Sequence, residues 1–126
     1  MQYIILIGNE ELTLDSIKAI NHHGCIDSYD VSEIKGRYCV DYGEDHIFYD
    51  YNNSIVNDYD DIELKKLPFK KPHFIMMVYK SEERMISVLS QDSFLKGIYV
   101  DNDYGLVVPI EEFIKMGMPV STWGQQ

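Results

Sequence analysis

A run of acids and tyrosines between Asp41 and Glu63 is the part of the chain best suited to chemistry with another molecule. It holds eight acids and four tyrosines but no lysine or arginine. The acids are Asp41, Glu44, Asp45, Asp50, Asp58, Asp60, Asp61 and Glu63, and the tyrosines are Tyr42, Tyr49, Tyr51 and Tyr59. Because uncompensated like charges disfavour the compact state, such a run is typical of a surface that meets a cationic partner. Tyrosine suits an interface, since its ring gives contact area and its hydroxyl finds hydrogen bonds. We therefore expect all of these residues to contact a basic protein partner.

The charge of the chain is unevenly distributed, and this argues against nucleic acid as a ligand. Residues 1–63 hold fourteen acids and three bases, whereas residues 64–126 hold seven acids and eight bases. The only basic cluster, Lys65, Lys66, Lys70 and Lys71, directly follows the acidic run and is typical of a solvated connector. Phosphate binding needs clustered lysine and arginine on a basic domain. We expect no nucleic-acid partner.

Two groups of residues have spacings that invite a test as metal sites. Asp101, Asp103 and Glu112 stand at the first, third and twelfth places of a calcium loop, but Gly105 and Leu106 occupy places that need an oxygen ligand and a glycine. A hairpin turn with exposed acids fits better. His22, His23 and Cys25 carry zinc-type ligands without a second pair at a fitting distance. We expect no metal.

No motif for nucleotide binding or for a nucleophile is present, so the chain is not expected to be an enzyme. Gly8 follows a buried strand and precedes a helix, but Glu10 and Glu11 stand where a phosphate would lie. His46 and His73 fall on predicted strands and have no partner in sequence for acid or base chemistry. We expect no catalytic residue and no cofactor.

Size and composition predict one globular domain over residues 1–126. A chain of this length with 45% hydrophobic residues can bury a core. No apolar run approaches the roughly 20 residues of a membrane span, so no membrane partner is expected. Two cysteines, Cys25 and Cys39, form no disulfide framework and suit a reducing cytoplasm as small core residues.

The predicted elements of the first half are a strand, a helix and a hairpin. Residues 3–7 form a continuous apolar run, typical of a strand that is covered on both faces. A helix follows, capped by Thr13 and stopped at Gly24. Residues 26–31 are a strand candidate, and residues 38–42 and 46–51 predict a hairpin.

The second half has the same plan. Residues 73–79 are apolar, Ser81 caps a helix, and two short strands at 98–100 and 106–108 flank a turn. Pro109 then opens a last helix that Gly117 closes. Residues 52–72, which we call the connector, cross the domain and favour one short amphipathic helix.

These elements predict an α+β fold with a central, mostly antiparallel sheet and about three helices. The two apolar strands are expected to lie side by side. The stretch from Tyr38 to Gly43 echoes that from Tyr99 to Gly105, which is consistent with a duplicated βαββ unit. The alternative stays open, because short βαββ units recur in unrelated folds.

The small, acidic, tyrosine-rich character of the whole chain resembles the immunity proteins of bacterial polymorphic toxin and contact-dependent inhibition systems. No diagnostic motif carries this resemblance, so no residue roles are transferred. The resemblance implies a cytoplasmic, bacterial protein whose partner is a toxin domain, such as a nuclease with a basic cleft. Two alternatives stay open: a small enzyme or ligand-binding domain whose pocket is assembled from distant residues, and a regulatory or structural subunit whose acids serve solubility.

Overall fold

Seven strands form one antiparallel sheet in the computed structural model, which describes residues 1–120. The strands are β1 (Gln2–Gly8), β2 (Asp27–Asp30), β3 (Arg37–Asp41), β4 (His46–Tyr51), β5 (His73–Tyr79), β6 (Tyr99–Asp101) and β7 (Val107–Pro109). Their order across the sheet is β2-β3-β4-β5-β1-β6-β7. The α+β class and the single domain predicted from the sequence are confirmed.

The two apolar strands β1 and β5 pair at the centre of the sheet, as their sequences predict. Their antiparallel register joins Gln2 to Tyr79 and Gly8 to His73. Successive side chains of a strand point to opposite faces, so Leu6 and Ile7 enter different layers, and both are fully buried. This confirms that β1 is covered on both faces.

Three helices cover one face of the sheet. They are α1 (Leu14–Lys18), α3 (Glu82–Leu89) and α4 (Ile110–Lys115). The remaining helix, α2 (Asp61–Lys65), belongs to the connector. Ile17, Met85 and Phe113, one from each helix, join the main hydrophobic cluster beneath them. Thr13 caps α1 by accepting a hydrogen bond from the Ser16 amide. Cys39 is buried and Cys25 is partly buried.

The connector covers part of the opposite face with two short helices rather than the one predicted. A 3-10 helix (Asn53–Asp58) is followed by α2 (Asp61–Lys65). Ile55 and Leu67 from the connector pack on Ile5, Ile7 and Phe74 of the central strands to form a second, smaller cluster. The connector is therefore an excursion across one domain, as expected.

The β6–β7 hairpin is closed by a buried amide. Asn102 is only 1% exposed, and its side-chain oxygen accepts hydrogen bonds from the amides of Tyr104 (2.8 Å) and Leu106 (3.2 Å). Its side-chain nitrogen donates to the Pro119 carbonyl at 2.9 Å. These bonds fix the conformation of the turn that carries Asp101 and Asp103, and this turn closes a hairpin, as predicted.

Two details of the predicted architecture are corrected. Helix α1 ends at Lys18 with Ala19 as its C-cap, well before Gly24. The sheet also does not contain a duplicated βαββ unit. The second strand of the β3–β4 hairpin, β4, pairs with β5, whereas the first strand of the β6–β7 hairpin, β6, pairs with β1. As a result β3 runs opposite to β1 while β6 runs parallel to β5, so the two echoing sequences are not structural equivalents.

Candidate functional site

The structure divides the predicted acid and tyrosine surface into three parts. Two tyrosines are in the core, four residues are partly buried around the β3–β4 hairpin, and five residues lie in the connector. The core residues are Tyr42 and Tyr49, the partly buried residues are Asp41, Asp45, Asp50 and Tyr51, and the connector group is Asp58, Tyr59, Asp60, Asp61 and Glu63. Glu44 is exposed in the β3–β4 turn.

Tyr49 is fully buried, so the expectation that it contacts a partner is wrong. Its hydroxyl lies 2.7 Å from Nε2 of His22, which is 5% exposed, and Nδ1 of His22 lies 3.2 Å from the Ile20 carbonyl. Burial lowers the pKa of His22 and raises that of Tyr49. A neutral His22 that donates through Nδ1 and accepts from the Tyr49 hydroxyl satisfies both groups.

Tyr42 is likewise a core residue rather than a partner contact. The Arg84 guanidinium carbon lies 3.9 Å from the centre of the Tyr42 ring, and Nη2 of Arg84 lies 3.1 Å from Oδ1 of Asp45. Burial raises the pKa of Tyr42 to about 12. The cluster ties the β3–β4 turn to α3, so Asp45 has a structural partner inside the fold.

Asp41 and Asp50 also meet positive or titratable groups within the fold. Arg37 donates to Asp50 through Nε at 2.6 Å and Nη2 at 2.7 Å, which is a bidentate pair. Nε2 of His46 lies 3.4 Å from Oδ1 of Asp41. The run has no cation in its own sequence, but Arg37 and Arg84 supply counter-charge from outside it. The expectation that the acids of this run have no counter-charge is therefore wrong for Asp45 and Asp50.

Tyr51 is held at the start of the connector. Its hydroxyl accepts a hydrogen bond from Nδ2 of Asn53 at 3.1 Å and lies 3.4 Å from Nδ1 of His73. The Tyr51 ring also packs against the main hydrophobic cluster. Tyr51, at the end of β4, therefore contacts both β5 and the connector within the fold.

Two acids of the connector cap α2. Oδ1 of Asp60 accepts from the Glu63 amide at 2.7 Å, and Oε1 of Glu63 accepts from the Asp60 amide at 3.0 Å. This capping box satisfies amides that the helix itself leaves free. Asp58 and Asp61 are exposed and belong to none of the ion pairs among residues 1–120.

A cleft of about 250 Å³ opens between the connector and the β6–β7 hairpin. Two acids from each side line it: Asp58 and Glu63 from the connector, and Asp101 and Asp103 from the hairpin. Tyr3 and Tyr59 form part of its walls. A second hollow of about 190 Å³ shares Tyr59 and Glu63 with it and adds Lys66. Four carboxylates therefore face a space with one nearby lysine.

Hydrogen bonds order the carboxylates of the cleft. Asp101 is only 9% exposed, and it accepts hydrogen bonds from the Tyr59 hydroxyl and, at 2.7 Å, from the Asp103 amide. Asp103 adopts a left-handed backbone with φ of +64° and accepts from the Tyr3 hydroxyl at 2.6 Å. Each hairpin acid is thus held by one tyrosine.

The protonation of these tyrosines decides what the cleft can do. The hydrogen bond to Asp103 raises the pKa of Tyr3 to about 12, and burial together with Asp101 raises the pKa of Tyr59. Both hydroxyls therefore stay protonated at neutral pH and use their hydrogens on the two aspartates. What the cleft offers a ligand is oxygen lone pairs and negative charge, which match a group with several N–H donors.

The spread of the acids around the cleft matches the several N–H donors of an organic cation. Within residues 1–120, no three His, Cys, Asp or Glu side chains are grouped as ligands for a metal. A guanidinium or ammonium group needs no such convergence, since its donors spread over several acceptors.

Three cleft residues were not predicted as part of a binding surface. Asp101 and Asp103 were expected only as exposed turn acids, but Asp101 is buried, and Tyr3 was expected only as part of a strand. Tyr59 and Asp101 are 42 residues apart in sequence, and Tyr3 and Asp103 are 100 residues apart, yet a hydrogen bond joins each pair. A sequence signal existed in the closely spaced acids Asp101 and Asp103, but not in their partners.

The chain matches no protein family model, no curated protein and no solved structure in the three comparisons made. Among the described residues, no helix has both the length and the apolar character needed to cross a membrane.

Proposed function

We propose that this chain is a protein-binding protein that captures a basic protein partner in the cleft between the connector and the β6–β7 hairpin. The observation that carries the proposal is the set of four carboxylates around a space sized for one side chain. A lysine or arginine of the partner would enter there and donate to Asp58, Glu63 and Asp103. Tyr59 and Tyr3 would pack against its aliphatic stem.

The preorganised state of the cleft supports binding. Asp101 and Asp103 are held in place before a ligand arrives, so little rotamer entropy is lost when a cation enters. The exposed Asp58 lines the cleft and the exposed Asp61 begins α2, and exposed charges of this sign speed encounter with an oppositely charged protein. The net charge of −10 acts in the same direction.

The biological setting we propose is that of an immunity-type protein, which neutralises a toxin domain such as a nuclease. A nuclease carries cationic residues in its active site because it must bind phosphate. An acidic cleft on a small protein would bind one of these residues and obstruct the site. The cytoplasm is the location at which such a protein would meet its toxin.

The test is the affinity of two charge-matched variants for a basic protein partner, which is sought first among the products of adjacent genes. One variant carries Asp58→Lys in the cleft and Asp61→Lys at the start of α2, and the control carries Glu10→Lys and Glu11→Lys in the exposed β1–α1 turn. Both change the net charge by the same amount and leave the α2 capping box intact. Calorimetric titration should show binding weakened at least about tenfold only in the cleft variant. Equal weakening in both, or in neither, contradicts the proposal.

A further inference from the structure

One face of the outer strands β2, β3 and β4 is left uncovered by the fold. Helices α1, α3 and α4 lie on the other face, and the connector packs on the central strands. The second hydrophobic cluster takes its strand residues from β1, β5 and β6, and it includes none from β2, β3 or β4. About half of this sheet face therefore has no helix over it among residues 1–120.

The strand register places an apolar row across this uncovered face. Tyr29, Cys39, Phe48 and Val78 are successive cross-strand neighbours from β2 to β5, and we call them the open strip. Tyr29 is 44% exposed, and Phe48 and Val78 are partly exposed. Cys39 is fully buried although no helix lies above it. The Tyr29 ring is thus exposed, whereas the Phe48 ring is stacked on the His46 ring, with 6.0 Å between their centres, and is only partly exposed.

Three aspartates and one arginine lie beside the open strip. Arg37 is the only lysine or arginine in β2, β3 and β4, and it is neutralised by its bidentate pair with Asp50 while its guanidinium carbon lies 4.8 Å from the centre of the Phe48 ring. On the other side of the row, Asp27 and Asp41 are direct neighbours across β2 and β3. His46 lies near Asp41 and adds positive charge only when it is protonated.

We propose that the open strip docks an amphipathic helix of a partner protein, with apolar side chains on Tyr29, Phe48 and Val78 and basic side chains on Asp27 and Asp41. The face of a sheet offers side chains but no free backbone groups, so a segment lying on it must satisfy its own backbone hydrogen bonds. A helix does so. A second copy of this chain would instead bring further acids toward Asp27 and Asp41, which like-charge repulsion opposes.

This inference does not rest on the cleft. The open strip lies on the outer strands, whereas the cleft acids come from the connector and the β6–β7 hairpin. A partner could use either surface alone or both together. The experiment must therefore separate the two surfaces.

The test titrates isotope-labelled protein with a synthetic helix of leucine and lysine, roughly fourteen residues long so that at 1.5 Å per residue it spans about four strand spacings. Backbone amide resonances in residues 27–29, 37–41 and 46–48 should shift. A peptide with serine in place of leucine keeps the charge but loses the apolar face, and one with glutamate in place of lysine keeps the apolar face but has the opposite charge. Neither should shift these resonances.

Variants complete the test. Tyr29→Ala combined with Asp27→Lys should weaken the leucine–lysine peptide at least about tenfold. The matched control, Tyr104→Ala combined with Asp92→Lys, changes an exposed tyrosine and an exposed acid elsewhere and should bind as wild type does. The cleft variant Asp58→Lys with Asp61→Lys should also bind this peptide normally, whether or not the proposed function holds.

Three results would overturn the inference. The first is a set of shifts confined to residues 58–63 and 101–105, which would place the peptide in the cleft. The second is unchanged affinity in the Tyr29 and Asp27 variant. The third is a concentration-dependent dimer in sedimentation whose dissociation moves the same amide resonances, which would make a second copy the occupant.

Discussion

At the scale of single residues, the alternation of side chains along a strand explains where the predicted surface divides. Asp41 and Tyr42 are adjacent, as are Tyr49 and Asp50, and in each pair the tyrosine enters the core while the acid lies on the other side. Because the side-chain period of a strand is two, an acid and a tyrosine that are adjacent on a strand cannot lie on the same face. The composition of the run therefore predicts more exposed tyrosines and acids than the structure has.

His22 makes the stability of the fold depend on pH. Its folded pKa lies below the ordinary value of 6.5 because it is buried, so the unfolded chain binds a proton more readily. Stability is therefore fully present above about pH 6.5 and is lost as pH falls below it, by at most about 1.4 kcal/mol for each pH unit. Thermal melting of wild type and of His22→Gln between about pH 7.5 and pH 5.5 measures this loss, which should be smaller in the variant.

The control for His22 is its neighbour. His23 is exposed, so His23→Gln should keep the pH dependence of wild type. An unchanged pH dependence in the His22 variant would show that other groups cause the loss at low pH.

Tyr59 should matter for stability more than Tyr3 does, although each holds one aspartate of the cleft. Tyr59→Phe leaves the nearly buried Asp101 carboxylate with one donor fewer, at a cost of about 1.5 to 3 kcal/mol for a hydrogen bond to a charged group. Tyr3→Phe affects the more exposed Asp103, so solvent can replace the lost donor. Urea denaturation of both variants gives the comparison, and equal losses would contradict the assigned burial.

At the scale of elements, strands and hairpins followed from local sequence, whereas the connector and the site did not. The runs at residues 3–7 and 73–79 are apolar throughout, so their strand character and central position could be inferred before the structure was known. The connector has no such run, and its two short helices depend on packing against Phe74 and Ile5. The Tyr59–Asp101 bond joins two segments 42 residues apart, which no local pattern reveals.

Gly36 is required by the approach of two elements. It has a φ of +82°, and a Cβ atom there would lie 3.0 Å from the Tyr51 carbonyl oxygen, which is backbone and cannot move aside easily. Gly24 has a similar φ of +85° but open space around it. Gly24→Ala should therefore cost about 1 kcal/mol from backbone strain alone, and Gly36→Ala should cost clearly more. Chemical denaturation that gives equal costs would exclude the clash as a cause.

At the scale of the whole molecule, the sheet order makes the two halves of the chain depend on each other. Strand β1 lies between β5 and β6, and β5 lies between β4 and β1. Cutting the chain inside the connector would leave each half with a central strand that lacks a neighbour.

Separate fragments 1–66 and 67–126 should therefore not fold alone. Each would expose apolar strand edges and lose about half of the buried surface, which is too little for a chain of about 60 residues. Circular dichroism and thermal melting of each fragment test this expectation. Two soluble fragments with sharp independent transitions would contradict it.

The association rate is the measurement that tests most directly whether the connector side of the cleft steers a basic partner into place. Stopped-flow association with the basic partner, once it has been isolated, should be fast at low salt and fall steeply as salt screens the charges. The Asp58→Lys and Asp61→Lys variant should associate more slowly with a flatter salt dependence, while the charge-matched Glu10→Lys and Glu11→Lys variant should change less on both counts. If the two variants have the same rates and the same salt dependence, charge acts only through the net charge of the molecule, and the cleft has no special role in binding.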